Sequence, residues 1–278
     1  MIGGFIATIV IGLIIGLCSG LLGIGGGVLM VPAFRLLFGM SALASTATSL
    51  FTVIPTSISG AISHVRNHTC IPQLGLALGI GGACLSPVGV LLANQSPAWL
   101  VMLAAAIVVV YSAFTMFRKA LTMKKTSDAA SDATATANAD EAAQAVVPSQ
   151  EFTLTRRHIA TGVAIGLGAG LISGYVGVGG GFIMVPLMLS IIGLPMRQAS
   201  GTSLIAVMLI AVPGAISQGL LGNIDFLAGI ACACGTIPGA FLGAQLVSRV
   251  PERTLRLLFA CFLVVAAILM AIKEFGLL

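Results

Sequence analysis

Apolar runs of around twenty residues recur along the whole length of this chain. At about 1.5 Å per residue, such a run spans a hydrocarbon core of about 30 Å as a helix. Backbone in lipid must satisfy its own hydrogen bonds, which leaves helices or a closed barrel. Gly is abundant, at 35 residues, and aromatics make up only 6%. That balance fits closely packed helices and argues against a barrel with aromatic girdles. Charged residues amount to 8% of the chain, against roughly 25% in soluble domains. A soluble enzyme is excluded. The chain reads as an all-α, polytopic helical membrane protein.

The next constraint is internal. Gly16 to Pro32 reads GLCSGLLGIGGGVLMVP and Gly170 to Pro186 reads GLISGYVGVGGGFIMVP, with 11 of 17 positions identical at an offset of 154. The same offset aligns Thr48-Ser49-Leu50 with Thr202-Ser203-Leu204, and Gly60-Ala61-Ile62-Ser63 with Gly214-Ala215-Ile216-Ser217. A tandem duplication explains this. It divides the chain into an N-terminal transmembrane repeat (1–117), a linker (118–157) and a C-terminal transmembrane repeat (158–278). The linker's Thr/Ser/Asp/Ala tract cannot bury enough apolar surface to fold, so it is expected to be flexible. Arg118, Lys119, Lys124, Lys125, Arg156 and Arg157 flank it, and the positive-inside rule then expects it in the cytoplasm.

Each half holds five apolar segments: 3–22, 28–38, 44–63, 73–93 and 98–117, then 158–176, 182–193, 199–218, 226–247 and 254–273. The second of each set is only 11 or 12 residues long, follows a Gly cluster and contains a Pro. That pattern predicts a broken or re-entrant helix, and the chain makes eight or ten crossings according to which it is. Equivalent loops carry unequal charge. Arg66 follows the third segment of the first half, while its counterpart, 219–225, has no cation; Arg249, Arg253 and Arg256 have an uncharged counterpart in Asn94-Gln95-Ser96. This asymmetry points to inverted repeats, which five crossings per half permit.

Gly23-Ile24-Gly25-Gly26-Gly27 and Gly177-Val178-Gly179-Gly180-Gly181 each precede a short helix. Side-chain-free backbone there can expose N–H groups at a helix N-terminus, a ready anion site. Glycines also serve close helix packing, but recurrence in register favours a site. Neither cluster is a nucleotide loop, since no Gly-Lys-Ser/Thr follows. Candidate substrate-binding residues are therefore Gly25, Gly26, Gly27, Gly179, Gly180 and Gly181, with the repeat-paired hydroxyls Thr48, Ser49, Thr202 and Ser203. Most membrane Ser and Thr residues bond their own helix, which is the expectation for Ser45, Thr46 and Ser200.

Arg35 lies inside the first short segment, where Leu189 stands in the second half. It is either a fixed cation at the site or a side chain snorkelling to the interface. His64 and His68 with Cys70 could hold a metal, but loop histidines at a membrane edge are commoner, so no metal site is assigned. The acids Asp128, Asp132, Asp140, Glu141, Glu151, Asp225, Glu252 and Glu274 all fall in loops or at helix ends. No buried carboxylate serves proton or sodium coupling, which fits an anion pathway. The six cysteines form no C-x-x-C pair and read as small buried residues. The net charge of +5 sets membrane orientation and does not indicate nucleic acid. Met1 to Phe5 lacks a basic n-region, so the first apolar run is expected to be retained.

At these residues the sequence resembles the TauE/SafE sulfite exporter family of bacterial inner-membrane permeases. The resemblance rests on the paired G-x-G-G-G-x-x-x-V-P elements, Gly23 to Pro32 and Gly177 to Pro186, with the Thr-Ser pairs and Gly-Ala-Ile-Ser runs in support. It covers nearly everything except residues 118–157, and Arg35 and the linker tract are departures from it. It implies a transporter of a small sulfur-containing anion such as sulfite or an organosulfonate, often moving outward, with no cofactor and the lipid bilayer as its setting. Carrier and channel both stay open. An intramembrane enzyme would need a nucleophile–base pair or a metal cluster within the membrane, and none is visible. Nothing in the sequence addresses oligomeric state.

Overall fold

The computed structural model describes residues 2–134 and 155–274. Ten α-helices follow one another among these residues: α1 (Ile2–Leu22), α2 (Gly27–Phe38), α3 (Ala42–Arg66), α4 (Pro72–Gln95), α5 (Ala98–Thr134), α6 (Arg156–Val176), α7 (Gly181–Leu187), α8 (Met196–Leu220), α9 (Phe226–Leu246) and α10 (Glu252–Glu274). A π turn, Met188–Ile192, extends α7. The boundaries follow local chemistry. Ser41 accepts from Ala44 N to start α3, Asp225 accepts from Ala228 N to start α9, and Pro72 opens α4. Gly39 and Gly193, both left-handed, end α2 and the π turn. Most of the expected linker, 135–154, lies outside the described residues; α5 carries its helix past Arg118 to Thr134.

Among the described residues, five helices are long and apolar enough to cross a bilayer: Pro72–Gln95, Ala98–Arg118, Arg156–Val176, Met196–Leu220 and Phe226–Arg249. α3 is as long but less apolar, because it carries a run of Ser and Thr. Outward faces are apolar, as at Ile80, Tyr111, Phe114 and Ile216. The interior combines large apolar side chains, among them Phe34, Phe182 and Phe259, with small and hydroxylated residues. Its buried polar side chains are Ser, Thr, His64 and Gln218, and among the described residues no Arg, Lys, Asp or Glu is buried.

Helices pair across the duplication. α1 lies along α9, with Gly12 beside Gly235, Gly16 beside Thr236 and Gly20 beside Ala240. α6 lies along α4 in the same way, with Gly166 on Leu78, Gly170 on Gly82 and Gly174 on Ser86. Residue numbers rise together in both seams, so each pair runs parallel. Glycines every four residues let the backbones meet, the small-residue packing that replaces hydrophobic drive in lipid. A Cβ at Gly12 would come within 2.7 Å of the Cys232 carbonyl oxygen.

At the centre α3 and α8 run antiparallel, with Gly60 against Leu204 and Gly214 against Leu50. α3 follows α9 in parallel, through the contacts Thr48–Asp225, Thr52–Gly229 and Thr56–Thr236. α8 follows α4, with Ile205 against Gly75 and Leu209 against Gly79. Hence α1, α3 and α9 run one way, and α4, α6 and α8 the other. Since α1 and α3 are parallel, the stretch between them must return the chain across the bundle. The 12 residues of α2 cover about 18 Å of that return, and the break at Gly23–Gly26, left-handed at Gly23, Gly25 and Gly26, makes up the rest. The short segment with its break thus carries the chain from one end of the bundle to the other.

The ends of α1, α3 and α9 and the starts of α4, α6, α8 and α10 gather at one end of the bundle. His64 at the end of α3 meets Gly20 of α1 and Thr69 of the next loop. Arg197 donates to the Val250 carbonyl, and Glu252 accepts from Met196 N and Arg256. At the opposite end Asn223 donates to Asn94, which ties the α8–α9 connection to the end of α4.

Candidate functional site

The two Gly-rich breaks meet between the midpoints of α3 and α8. A Cβ at Gly27 would strike the Val178 backbone, and one at Gly181 would lie 2.6 Å from the Gly23 carbonyl oxygen. Gly25 and Gly179 are the innermost pair, and both face Val53 of α3 and Val207 of α8. Those valines are themselves repeat mates, at the offset of 154. The breaks therefore cross at the point where the two halves exchange.

The crossing requires glycine for two reasons. Gly25, Gly26, Gly179 and Gly180 have φ of 77°, 82°, 87° and 70°, a left-handed backbone that costs an L-residue about 1–2 kcal/mol. There is also no room, because a Cβ at Gly25 would lie 2.7 Å from Val207 Cγ1. The left-handed turns unwind each helix and release its donors. Gly23 N still donates to Ser19 O, and Gly177 N to Ser173 O. Beyond them, no protein group among the described residues accepts from the N–H groups of Ile24, Gly25 and Gly26, or of Val178, Gly179 and Gly180. All six residues are buried. Unpaired buried N–H groups are rare and costly, and their doubling at equivalent positions marks a built feature.

The hydroxyls expected at the site are engaged in holding the frame. Thr48 Oγ1 accepts from Asp225 N at 3.0 Å, and Thr202 Oγ1 from Ile71 N at 2.9 Å. These are equivalent bonds, each tying a central helix to the residue before α9 or α4. Ser203 Oγ donates to the Gly23 carbonyl at 2.6 Å and Ser49 Oγ to that of Gly27 at 3.4 Å, so both fasten a break. Ser45, Thr46 and Ser200 bond their own helices. His64 Nε2 lies 2.9 Å from the Gly20 carbonyl, which only accepts, so Nε2 carries the proton; Nδ1 meets Thr69 Oγ1 at 2.7 Å.

Arg35 is not brought to the breaks. It sits half-buried in the last turn of α2, eight residues or about 12 Å along the axis from Gly27. A cation there complements the C-terminal end of the helix dipole. Two positions passed over in the sequence reading lie closer. Ser19 of α1 is against Gly26, and Ser173 of α6 against Gly180. They are repeat mates inside the duplicated motif, and that identity was their visible sign.

A family model described as sulfite exporter TauE/SafE matches residues 8–270. Among curated proteins, the probable membrane transporter protein YunE of Bacillus subtilis (strain 168) is 25% identical over 269 residues, covering 94% of both chains. The probable membrane transporter protein YdhB of the same organism is 29% identical over 244 residues, covering 87% of this chain and 90% of its own. The probable membrane transporter protein MJ0441 of Methanocaldococcus jannaschii is 23% identical over 277 residues, covering 94% and 93%. No solved structure matches the chain significantly.

Proposed function

The chain belongs to the TauE/SafE sulfite exporter family and is a membrane transporter, and from that premise we propose that it is a secondary permease for a small sulfur-containing anion, sulfite or an organosulfonate. The observation that carries this reading is the crossing of two glycine breaks at the centre of the bundle, with six buried N–H groups lacking a protein acceptor among the described residues.

The electrostatics favour a weakly charged cargo. A helix N-terminus contributes about 0.3–2 kcal/mol to a nearby anion, and each hydrogen bond to a charged group about 1.5–3 kcal/mol. No buried Arg or Lys stands among the described residues to neutralise a second charge. The site therefore suits a singly charged oxyanion, such as hydrogen sulfite or a sulfonate, over a dehydrated dianion. Ser49 and Ser203 serve it by fastening the first break, and Thr48 and Thr202 by tying the central helices to the starts of α9 and α4.

Alternating access follows from the two halves acting as inverted repeats. The opposite running of α3 and α8, and the parallel seams of α1 with α9 and α6 with α4, support that relation. Inverted halves can exchange roles by rocking about the central crossing. Orientation is supported by charge. Of 13 Lys and Arg residues, eleven (Arg66, Arg118, Lys119, Lys124, Lys125, Arg156, Arg157, Arg197, Arg249, Arg253 and Arg256) belong to the end that carries the linker. Arg35 and Lys273 belong to the other. The positive-inside rule puts the linker end in the cytoplasm of a bacterial inner membrane.

Counterflow in proteoliposomes tests the reading. Vesicles loaded with unlabelled sulfite are exposed to labelled sulfite, with methanesulfonate, sulfoacetate, sulfate and chloride as competitors. Saturable exchange, blocked by sulfonates more strongly than by sulfate, is expected. Current far above carrier turnover would replace the carrier with a channel. No exchange by folded protein would retire sulfur oxyanions as cargo.

A further inference from the structure

Buried hydroxyls in this bundle mostly follow the ordinary rule for Ser and Thr in apolar helices, donating to a carbonyl one turn back. Thr52, Thr56 and Ser200 each do so at 2.8–2.9 Å. Ser19, Ser57, Ser63, Ser86 and Ser173 are buried too, and among the described residues none of their hydroxyls has a partner. A lone membrane serine with an idle hydroxyl is a small anomaly, but Ser19, Ser57 and Ser173 share a location.

Each lies against a glycine of a break. A Cβ on Gly25 would sit 3.2 Å from Ser57 Oγ, one on Gly26 would sit 3.5 Å from Ser19 Cβ, and one on Gly180 would sit 3.7 Å from Ser173 Oγ. The left-handed glycines of the breaks are thus the residues these buried serines pack against. Ser19 and Ser173 are equivalent across the duplication, whereas Ser57 has Ala211 as its mate. The first break accordingly has two idle hydroxyls and the second has one. Beside them stand the six N–H groups that find no protein acceptor. Hydroxyl and amide donors gathered without acceptors of their own form the complement of an oxyanion.

We propose that Ser19, Ser57 and Ser173 are substrate-binding residues, whose hydroxyls donate to the oxygens of a singly charged sulfur oxyanion held at the crossed breaks. This rests on the reading of the protein as an anion carrier and adds to it the side chains that touch the cargo. Because Ser57 has no counterpart, the two breaks differ in donor number. The anion is held more tightly at the first.

The test uses the full-length protein, with Ser19→Ala, Ser57→Ala, Ser173→Ala and the triple variant. Ser86→Ala is the control, another buried hydroxyl without a partner, which faces Gly214 of α8. Two readouts are taken: sulfite counterflow, and the rise in melting temperature of purified protein with sulfite or methanesulfonate. Loss of one hydroxyl to a charged oxygen should raise the apparent KM about tenfold or more. The triple variant should lose the anion-dependent rise in melting temperature. Without anion each variant should melt at or above the wild-type temperature, because an idle buried hydroxyl is removed. Ser86→Ala should match wild type in both readouts. Wild-type KM and anion-dependent stabilisation in all three single variants would overturn the proposal while leaving the carrier intact. Lower melting temperatures without anion would make the hydroxyls structural and overturn it too. A wild-type protein that neither exchanges nor is stabilised by these anions would overturn the carrier reading, and the proposal with it.

Discussion

Two glycines of α6, two residues apart, meet opposite surroundings. A Cβ at Gly170 would lie 2.5 Å from the carbonyl carbon of Gly82 on α4, whereas Gly168 has nothing within 4 Å. Ordinary carbon–carbon contact is about 3.5–4.0 Å, so Gly170→Ala forces α6 and α4 apart by about 1 Å. The obstacle is backbone and cannot rotate away, which puts the change near the top of the about 1–3 kcal/mol range for overpacking. Alanine returns about 1 kcal/mol of helix propensity. Gly170→Ala should therefore lose about 2 kcal/mol and Gly168→Ala should gain up to about 1 kcal/mol, a separation of about 3 kcal/mol within one turn of one helix. Unfolding of the purified protein in mixed micelles, followed by far-UV circular dichroism, measures it. Equal stabilities for the two variants would refute the close parallel seam of α4 and α6, and with it the argument that glycines outside the breaks serve packing.

Gly26→Leu and Gly180→Leu place a bulky residue at φ of 82° and 70°; flux should vanish in counterflow while the protein stays inserted and monodisperse, and normal flux in both would dismiss the breaks as a site. Arg35→Ala should leave the apparent KM for the anion within about twofold of wild type, since the side chain belongs to the last turn of α2 about 12 Å from Gly27; a tenfold rise would bring it into the pathway. Asn67→Cys and Leu221→Cys occupy repeat-related connections at opposite ends of the bundle. A membrane-impermeant maleimide should label them from opposite sides. Cys70, in the same connection as Asn67, has its thiol pushed up by burial and is replaced by Ser beforehand. Labelling of both from one side would make the repeats parallel.

The helices were legible because each depends on its own stretch of chain. The apolar run at 73–93 became α4, Pro72–Gln95, and the run at 226–247 became α9, Phe226–Leu246. The breaks were legible too, since Gly23–Gly27 and Gly177–Gly181 cannot continue a helix cheaply. The work of the hydroxyls was not legible. Thr48 and Thr202 stood out as paired, but their partners, Asp225 N and Ile71 N, lie 177 and 131 residues away. Arg35 looked central by its place in a short apolar segment, and only the direction of α2 carries it to the end of that helix. Ser19 and Ser173 were hidden by the opposite effect. A serine in an apolar helix ordinarily bonds its own backbone, and only the three-dimensional hydrogen-bond pattern reveals that these do not.

By itself the sequence determined what the bilayer enforces locally: the number and length of apolar segments, the duplication, the two glycine breaks and the uneven placement of cations. Segment length and cation placement follow from the cost of exposing peptide groups or charge to lipid, which a segment meets on its own, and the breaks from the backbone freedom of glycine. Tertiary structure decided which helices meet. α1 pairs with α9 and α6 with α4 because glycines spaced by four residues on one helix match a carbonyl-lined face on another, a match between surfaces that no single segment encodes. That exchange brings the two breaks together between Val53 and Val207. There, peptide groups left unpaired by left-handed glycines come to lie beside idle hydroxyls from three different helices.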